Sequence, residues 1–527
     1  MWVAKGQERI CLSPKMANRH GLITGATGTG KTVTLKVLAE GFSDMGVPVF
    51  LADIKGDVSG MCKAGEPSEN VDGRVREMGV DGFSYTAYPV RFWDVYGKLG
   101  VPVRTTISDM GPDLLSRIME LSDVQEEVLA VVFKIADDNG WLLIDTKDLR
   151  AMLAYVSEHA GEYSAMYGNM TAQSLASIQR NVVVLEEAGG TVFFGEPALS
   201  IADWLCQDDT GRGIINLLSC VQLVQSPLLY STFLLWMLSE LYELLPEAGD
   251  LDKPKIVFFF DEAHLLFHDA PKALLSKVEQ VARLIRSKGV GVYFISQSPA
   301  DVPDTVLAQL GNKIQHALRA YTPAEQKAVR AAAQSFRANP AFDTEEAIGA
   351  LGTGEALVSL LGTDGVPQVV ERAKILPPRS FMGAAEEDLI RQRIANSPLY
   401  GKYAAAVDGV SAYEQLSDVH AAAQQQAAEA AAAAEQQKQA EAAEKERQKQ
   451  EAAAAKEQEK QAAAQQKEIE KLKAAEEKRQ QKEIEQLKRK QEREAERRKQ
   501  RMESVATSMF RTAGTSIVRN LLGTKRR

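Results

Sequence analysis

The chain has 527 residues, of which 45% are hydrophobic and 25% charged, values typical of globular proteins and sufficient for two or three domains. Its four cysteines form no CxxC pair, which argues against a disulfide framework or a zinc site and favours a reducing compartment. The net charge is −9, but the charges are unevenly distributed. Residues 421–527 hold 25 Lys and Arg against 18 Asp and Glu, so residues 1–420 have a net charge of −16. An acidic body argues against a broad surface for duplex DNA.

The sequence predicts neither a signal peptide nor a membrane-spanning helix. The first nine residues, MWVAKGQER, lack the basic and apolar regions of a signal peptide. The most apolar helical stretch, 228–245, is interrupted by Ser231, Ser239 and Glu240, and we interpret it as a buried helix rather than a membrane span. We therefore expect a cytoplasmic protein without a transmembrane segment.

A predicted strand at 21–24 leads into the glycine-rich sequence GATGTGKT at 25–32, and an apolar-periodic helix follows. Glycines allow a tight turn in which backbone N–H groups converge on an anion at the start of a helix. In such a loop Lys31 reaches the β- and γ-phosphates of ATP and the Thr32 hydroxyl binds Mg²⁺. The predicted nucleotide-binding residues are Gly25, Ala26, Thr27, Gly28, Thr29, Gly30, Lys31, Thr32 and Val33.

The next predicted strand, 48–53, ends in the sequence DIKGD at 53–57. Strand ends at this edge of an open parallel sheet face the nucleotide crevice. Asp53 could therefore assist the metal or the attacking water, or it could simply form a turn at the surface. The sequence leaves both interpretations open.

Between about 105 and 245, helical patterns replace the alternation of strands and helices seen elsewhere in residues 1–400. The predicted helices cover 112–120, 123–138, 146–157, 172–187 and a stretch ending near 245. We interpret this region as a helical insertion in an α/β domain, able to cap a site or to contact a neighbouring subunit.

The sequence KIVFFFDEAH at 255–264 combines a buried strand with two adjacent acids. Nearly continuous apolar runs are typical of strands that are covered on both faces of a parallel sheet. Such a strand would deliver Asp261 toward Mg²⁺ and Glu262 toward the attacking water. The histidines, His264 included, show no metal-ligand spacing.

Further polar residues follow later predicted strands, which cover 290–296, 313–318, 356–361 and 367–371. Gln297 follows the first of these and is predicted to contact the γ-phosphate or the water as a sensor. Developing charge in phosphoryl transfer is commonly met by an arginine. Arg283, Arg286 and Arg319 are the candidates, although each can equally be a surface charge.

Residues 401–505 are predicted to form a helical tail rich in Ala, Gln, Glu, Lys and Arg. The segment KEIEKLK at 467–473 nearly recurs at 482–488, a spacing of 15 that does not fit heptads. An exposed charged helix or a partly disordered spacer is therefore favoured over a sustained coiled coil. Residues 506–527 are predicted to be a basic amphipathic segment that docks on the body, binds a protein partner or attaches to a membrane surface.

The motifs, in this order, resemble the HerA/FtsK superfamily of ring-forming ATPases, and most closely a HerA-like bacterial family. The matching pieces are GATGTGKT (25–32), DIKGD (53–57), FWDVYG (92–97), DEAH (261–264), SQSP (296–299) and LGTGEA (351–356). The resemblance implies a RecA-like P-loop NTPase sheet, here with a helical insertion and a long charged helical tail. It also implies a homo-hexameric ring with ATP at the subunit interfaces and a polymer moving through the ring.

Carried over to this chain, the resemblance assigns nucleotide binding to Lys31 and Thr32 and water activation to Glu262. Gln297 matches the sensor, and Arg286 matches the arginine that a neighbouring subunit contributes. The first functional hypothesis is a Mg²⁺-dependent ATPase that acts on nucleic acid, possibly DNA, by translocation or remodelling. The alternatives are a motor or switch for a protein substrate, and a scaffold that binds ATP to control assembly through its tail.

Overall fold

The structure is a computed structural model that describes residues 1–267, 270–465 and 477–508. The chain divides into two compact units, Met1–Ala421 and Ala422–Arg527. The first unit contains the sheet and all the predicted chemical residues.

A single twelve-stranded sheet runs through the first unit. Its strands are β1 Trp2–Lys5, β2 Arg9–Cys11, β3 Gly21–Thr24, β4 Val49–Asp53, β5 Val90–Asp94, β6 Val101–Pro102, β7 Ile215–Ser219, β8 Ile256–Phe260, β9 Val290–Ser296, β10 Asn312–His316, β11 Glu355–Ser359 and β12 Glu371–Ile375. The strand order is β2-β1-β12-β11-β10-β3-β9-β8-β4-β7-β5-β6.

Eight strands, from β10 to β6 in that order, are parallel, whereas β2, β1, β12 and β11 form an antiparallel extension at one edge. All residues of β3, β4, β8 and β9 are buried. Burial on both faces explains why the IVFFF sequence of β8 has no polar alternation. The predicted α/β fold with a large parallel sheet is confirmed.

Helices connect the strands of the first unit and continue into the tail. The α-helices of the described residues are α1 Lys31–Asp44, α2 Glu69–Met78, α3 Ile107–Ile118, α4 Asp123–Asn139, α5 Thr146–Glu158, α6 Ala160–Tyr167, α7 Ala172–Leu185, α8 Thr191–Phe193, α9 Pro227–Leu244, α10 His264–Phe267, α11 Lys272–Leu284, α12 Asp304–Leu307, α13 Pro323–Gln334, α14 Thr344–Gly349, α15 Glu387–Ala395, α16 Tyr400–Tyr403, α17 Ala412–Gln465 and α18 Glu477–Ser508. In that part of the chain no helix has the length and apolarity needed to cross a membrane.

The helical insertion is shorter than predicted, because a strand lies inside the range 105–245. Helices α3 to α8 occupy 107–193, but β7 returns to the sheet between β4 and β5. The polar residue Asn216 interrupts the apolar run of β7 and hides the strand pattern. In the fold its side-chain oxygen accepts a hydrogen bond from Trp93 Nε1 at 3.0 Å, and its amide donates to the Trp204 carbonyl at 3.1 Å.

Other strand boundaries also differ from the sequence-based expectations. The last predicted strand, 367–371, is displaced in the structure to β12 at 371–375. Strands β1, β2, β5 and β6 carry too short or too mixed a pattern to be predicted, and two of them, β2 and β6, lie at the ends of the sheet order. In an edge strand fewer side chains are buried, so its sequence shows a weaker apolar pattern.

The first unit extends through residue 421, whereas the predicted boundary is at 400. Tyr403 is fully buried, its ring lies 5.9 Å from that of Trp93, and its hydroxyl donates to Asp203 Oδ2. The Ser411 hydroxyl donates to Asp148 on α5. These buried contacts make residues 401–421 part of the packed body.

Two helices occupy the described part of the tail. Residues 412–465 form α17 and residues 477–508 form α18, so the predicted charged helical tail is confirmed. The first copy of the repeated segment, 467–473, lies outside the described residues. The same holds for the predicted amphipathic segment 506–527, apart from the end of α18 at Ser508.

Replacing Tyr403 with Ala is expected to lower the free energy of unfolding by about 3–5 kcal/mol, because a buried aromatic ring is lost and leaves a cavity. Chemical denaturation of the full chain measures the change. Lys402→Ala is the control, since its ion pair with Asp203 is half-exposed and is worth at most about 1 kcal/mol. Equal losses in the two variants would contradict the assignment of residues 401–421 to the packed body.

Candidate nucleotide-binding site

Five neighbouring parallel strands bring all the predicted site residues except the candidate arginines Arg283 and Arg286 to one edge of the sheet. Strands β10, β3, β9, β8 and β4 adjoin in that order. Because the strands are parallel, their carboxyl ends lie side by side. The glycine loop follows β3, Gln297 follows β9, the acid pair follows β8 and the DIKGD turn follows β4.

The glycine loop has a backbone that favours glycine at three positions. Gly25, Gly28 and Gly30 have φ angles of 156°, 79° and 116°. A Cβ atom on Gly25 would lie 2.5 Å from the Cβ atom of His316, whereas a Cβ atom on Gly28 would meet nothing within 4 Å. The loop is therefore packed tightly against β10 on one side and open above Gly28.

Two backbone hydrogen bonds fasten the loop to neighbouring segments. The Ala26 N–H donates to the Ala317 carbonyl at 2.8 Å, just after β10. The Gly354 N–H donates to the Thr29 carbonyl at 2.9 Å, which explains why the LGTGEA segment belongs to the same site. The loop conformation is thus fixed by the sheet rather than by its own sequence alone.

Lys31 points back into the loop that it follows. Its Nζ donates to the carbonyl of Gly25 at 2.6 Å and to that of Ala26 at 3.1 Å. Burial lowers the pKa of Lys31, and the nearby carboxylates of Glu262 and Asp261 act in the opposite direction. The ammonium group of Lys31 is therefore within electrostatic range of both acids.

His316 lies beneath the loop and was not predicted from the sequence. Burial lowers its pKa to about 4, so the imidazole is neutral at physiological pH. Its Nδ1 donates to the Glu355 carbonyl at 2.9 Å, and its Nε2 accepts from the Thr34 hydroxyl at 2.8 Å. The only sequence signal was its place inside a predicted strand, and strand residues are usually read as packing.

The acid pair lies in a strained turn directly after β8. Asp261 and Glu262 are both buried, and Glu262 has a φ angle of 46°, a left-handed conformation that is uncommon outside glycine. Its N–H donates to Asp261 Oδ1 at 2.9 Å. Burial, together with the charge of Glu262, raises the pKa of Asp261 to about 6.

Glu262 is ionised at neutral pH. Burial alone would raise the pKa of Glu262, but the hydrogen bond and the charge of Lys55 lower it below its ordinary value. Lys55 Nζ forms an ion pair with Glu262 Oε1. Sequence reasoning placed Lys55 at a strand end without giving it a partner.

Asp53 forms a turn rather than a free ligand at the edge of the sheet. It is buried, and its Oδ1 accepts a hydrogen bond from the Gly56 N–H at 2.7 Å. Burial raises its pKa to about 7. Of the two interpretations that the sequence left open, the structure supports the turn, although Asp53 lies inside the protein rather than on its surface.

Gln297 lies between the glycine loop and the acid pair, since β9 separates β3 from β8. Its side chain is exposed. The position is that of a residue able to contact a group bound between the two segments, and its role as a sensor stays a prediction.

The candidate arginines lie at different ends of the sheet. Arg283 and Arg286 precede β9, which spans roughly 20 Å, so they lie at the amino ends of the strands, far from Lys31 in the same chain. Arg286 lies near Asp250, with 3.9 Å between Nη2 and Oδ1. Arg319 is exposed and follows β10 at the same edge as the loop.

The residues present fit a nucleotide with Mg²⁺. Within the described ranges, no group of three or more His, Cys, Asp or Glu side chains is arranged to hold a metal by itself. Thr32 and Asp261 would supply one hydroxyl and one carboxylate, and Mg²⁺ is usually bound by few protein ligands together with phosphates and water. The open loop above Gly28 would accept the phosphates.

A glycine loop after one parallel strand, and a buried Asp-Glu pair two strands away, define a P-loop ATPase. The chain belongs to the family described as "Helicase HerA-like C-terminal", which matches residues 2–451. The resemblance to HerA-like proteins that the motifs indicated is thereby confirmed.

Two curated relatives are similar over parts of their length. The chain is 23% identical over 346 residues to the "DNA double-strand break repair helicase HerA" of Saccharolobus solfataricus, covering 64% of this chain and 61% of the relative. It is 31% identical over 125 residues to the "Probable helicase MJECL08" of Methanocaldococcus jannaschii, covering 23% of this chain and 22% of the relative. The chain thus spans less than two thirds of either relative.

Solved structures of the conjugative coupling protein TrwB are also similar. An unbound form has a TM-score of 0.48 and 15% sequence identity, over 73% of this chain and 90% of that one. A complex of TrwB with ADP and Mg²⁺ has a TM-score of 0.44 and 15% identity, over 70% of this chain and 89% of that one.

Proposed function

We propose that this protein hydrolyses ATP in a Mg²⁺-dependent reaction and uses the energy to translocate or remodel nucleic acid. The observation that carries the proposal is the placement of Lys31, Asp261 and Glu262 at the carboxyl ends of β3 and β8, which β9 alone separates, with Glu262 buried and ionised. A buried, ionised carboxylate at the same sheet edge as a glycine loop is a candidate for a catalytic role, because groups with perturbed pKa values concentrate at functional sites.

Each residue has a distinct role in this proposal. The N–H groups of 25–33 and the ammonium of Lys31 bind the phosphates, and Thr32 and Asp261 hold the metal. Mg²⁺, when bound, neutralises phosphate charge and orients the leaving group. Glu262 orients the attacking water and accepts its proton.

The nucleic-acid substrate rests on the family and its relatives. The family is described as helicase-like, and the Saccharolobus relative is a DNA repair helicase. The acidic charge of residues 1–420 argues against a broad basic face for nucleic acid. The same charge is the observation that favours the second candidate, a cytoplasmic motor or switch for a protein substrate bound through the tail.

The proposed assembly is a homo-hexameric ring with the nucleotide at subunit interfaces. Arg286 cannot serve the loop of its own chain, because the length of β9 separates them. In a ring, the amino-end surface that carries Arg286 can face the loop of the adjacent subunit. Arg319 is the second choice, since it is exposed near the loop.

Lys31→Ala is expected to abolish nucleotide binding, whereas Glu262→Gln should keep binding and stop turnover. Lys31 stabilises the phosphate charge of bound ATP, which is present before the reaction, whereas Glu262 acts only when water attacks. Nucleotide affinity and steady-state phosphate release are measured for both variants. Normal turnover by the Glu262 variant would remove Glu262 from the mechanism.

Mixing inactive Lys31→Ala subunits with inactive Arg286→Ala subunits is expected to restore part of the ATPase activity. A mixed ring contains interfaces at which an intact lysine meets an intact arginine. Lys31→Ala mixed with Arg319→Ala is the parallel test. If well-mixed oligomers recover no activity in either case, neither arginine acts across the interface.

Turnover measured without polymer, with single-stranded DNA and with duplex DNA tests the substrate class. DNA is expected to raise turnover, and the stimulation should weaken as salt increases from about 50 to about 200 mM, since phosphate contacts release counterions. Turnover that no DNA changes at any salt concentration, together with a co-purifying protein that raises it, would favour the protein motor.

A further inference from the structure

The carboxylate of Glu262 is held by a lysine from another strand. Lys55 Nζ pairs with its Oε1, and the two side chains are 44% and 7% exposed. The other oxygen, Oε2, is buried and has no hydrogen-bond partner within the described residues. His264 Nδ1 lies 3.2 Å from it but is not aligned to form a hydrogen bond. Lys55 is therefore the strongest partner of this carboxylate.

The backbone of Glu262 is strained at the same place. Its φ angle of 46° lies in the left-handed region, which is unfavourable for any residue with a Cβ atom. The turn is pinned on both sides of that residue, since Asp261 Oδ1 accepts from the Glu262 N–H and Ile295 on β9 accepts from the Ala263 N–H at 2.7 Å. A strained residue in an active site persists only when its surroundings hold it.

Lys55 lies in a turn whose backbone is held by hydrogen bonds. It lies in the turn that Asp53 closes through the Gly56 N–H. The next residue but one is anchored as well, because Lys36 Nζ on α1 donates to the Asp57 carbonyl at 3.1 Å. A helix that begins in the glycine loop thus supports the turn that presents Lys55. These hydrogen bonds restrain the backbone on both sides of Lys55, whereas its side chain is partly exposed.

We propose that Lys55 is a positioning residue that holds Glu262 in a non-reactive orientation, and that breaking this ion pair is a condition for hydrolysis. The inference rests on the proposed role of Glu262 as proton acceptor. An oxygen that accepts a hydrogen bond from an ammonium group is a weak acceptor for a water proton, so pairing and catalysis compete for one carboxylate. Release of Lys55 frees Oε1 to accept the proton of the attacking water.

Removing the lysine is therefore expected to speed the reaction rather than slow it. In the full chain, Lys55→Met should raise kcat at saturating ATP roughly three- to tenfold without DNA or protein partner, with KM unchanged, because the lysine acts on the base and not on substrate binding. Lys55→Gln, which keeps a polar end, should behave in the same way. Lys55→Arg, which keeps the cation, should restore the wild-type kcat.

Two controls separate this inference from its rivals. Lys63→Met removes a comparable lysine paired with Glu66 and Glu386 away from the site, and should leave kcat unchanged. Lys55→Met combined with Glu262→Gln should be as inactive as Glu262→Gln alone. A kcat that is unchanged or lower in both Lys55→Met and Lys55→Gln, or raised equally by Lys55→Arg, would overturn the inference. Full turnover by Glu262→Gln alone would instead overturn the proposed function.

Discussion

Parallel hydrogen bonding between β10, β3, β9, β8 and β4 is the constraint on which the rest of this molecule depends. It aligns five carboxyl ends, and each end delivers one functional segment to the same edge. A shift in the register of one strand would separate the acid pair from the glycine loop, even if every local structure were kept. The chemistry of the site is therefore a property of strand order as much as of residue type.

Much of the fold could be predicted because buried parallel strands are apolar without interruption. The runs that became β3, β4, β8 and β9 are entirely buried, and each appears in the sequence at or near its true bounds. β7 was not predicted, because the polar Asn216 interrupts its apolar sequence. The side chain of Asn216 is needed for two hydrogen bonds to distant segments, which the local sequence does not reveal. Tyr403 shows the same limit, since nothing near it in sequence reveals the core that it fills.

Part of the candidate site could likewise be predicted from the sequence, and part could not. The glycine loop and the acid pair are local patterns whose chemistry demands those residues at that spacing, so their placement could be foreseen. The Lys55–Glu262 pair and the His316–Thr34 hydrogen bond join residues hundreds of positions apart, and no pattern in either segment indicates the other. The proposed role of the arginines could not be derived in this way, because it involves a contact with a neighbouring subunit, which no pattern within one chain fixes.

The hydrogen bond from Ala26 to the Ala317 carbonyl has a mechanical meaning. Gly25 has no room for a side chain against His316, so the loop and β10 are also in close contact at this point. The end of β10 and the glycine loop are therefore directly joined, and Arg319 lies two residues after the hydrogen-bonded Ala317. The shortest covalent and hydrogen-bonded path from Arg319 to the loop thus runs through Ala317 and Ala26, so a contact made by this arginine is made close to the nucleotide-binding backbone.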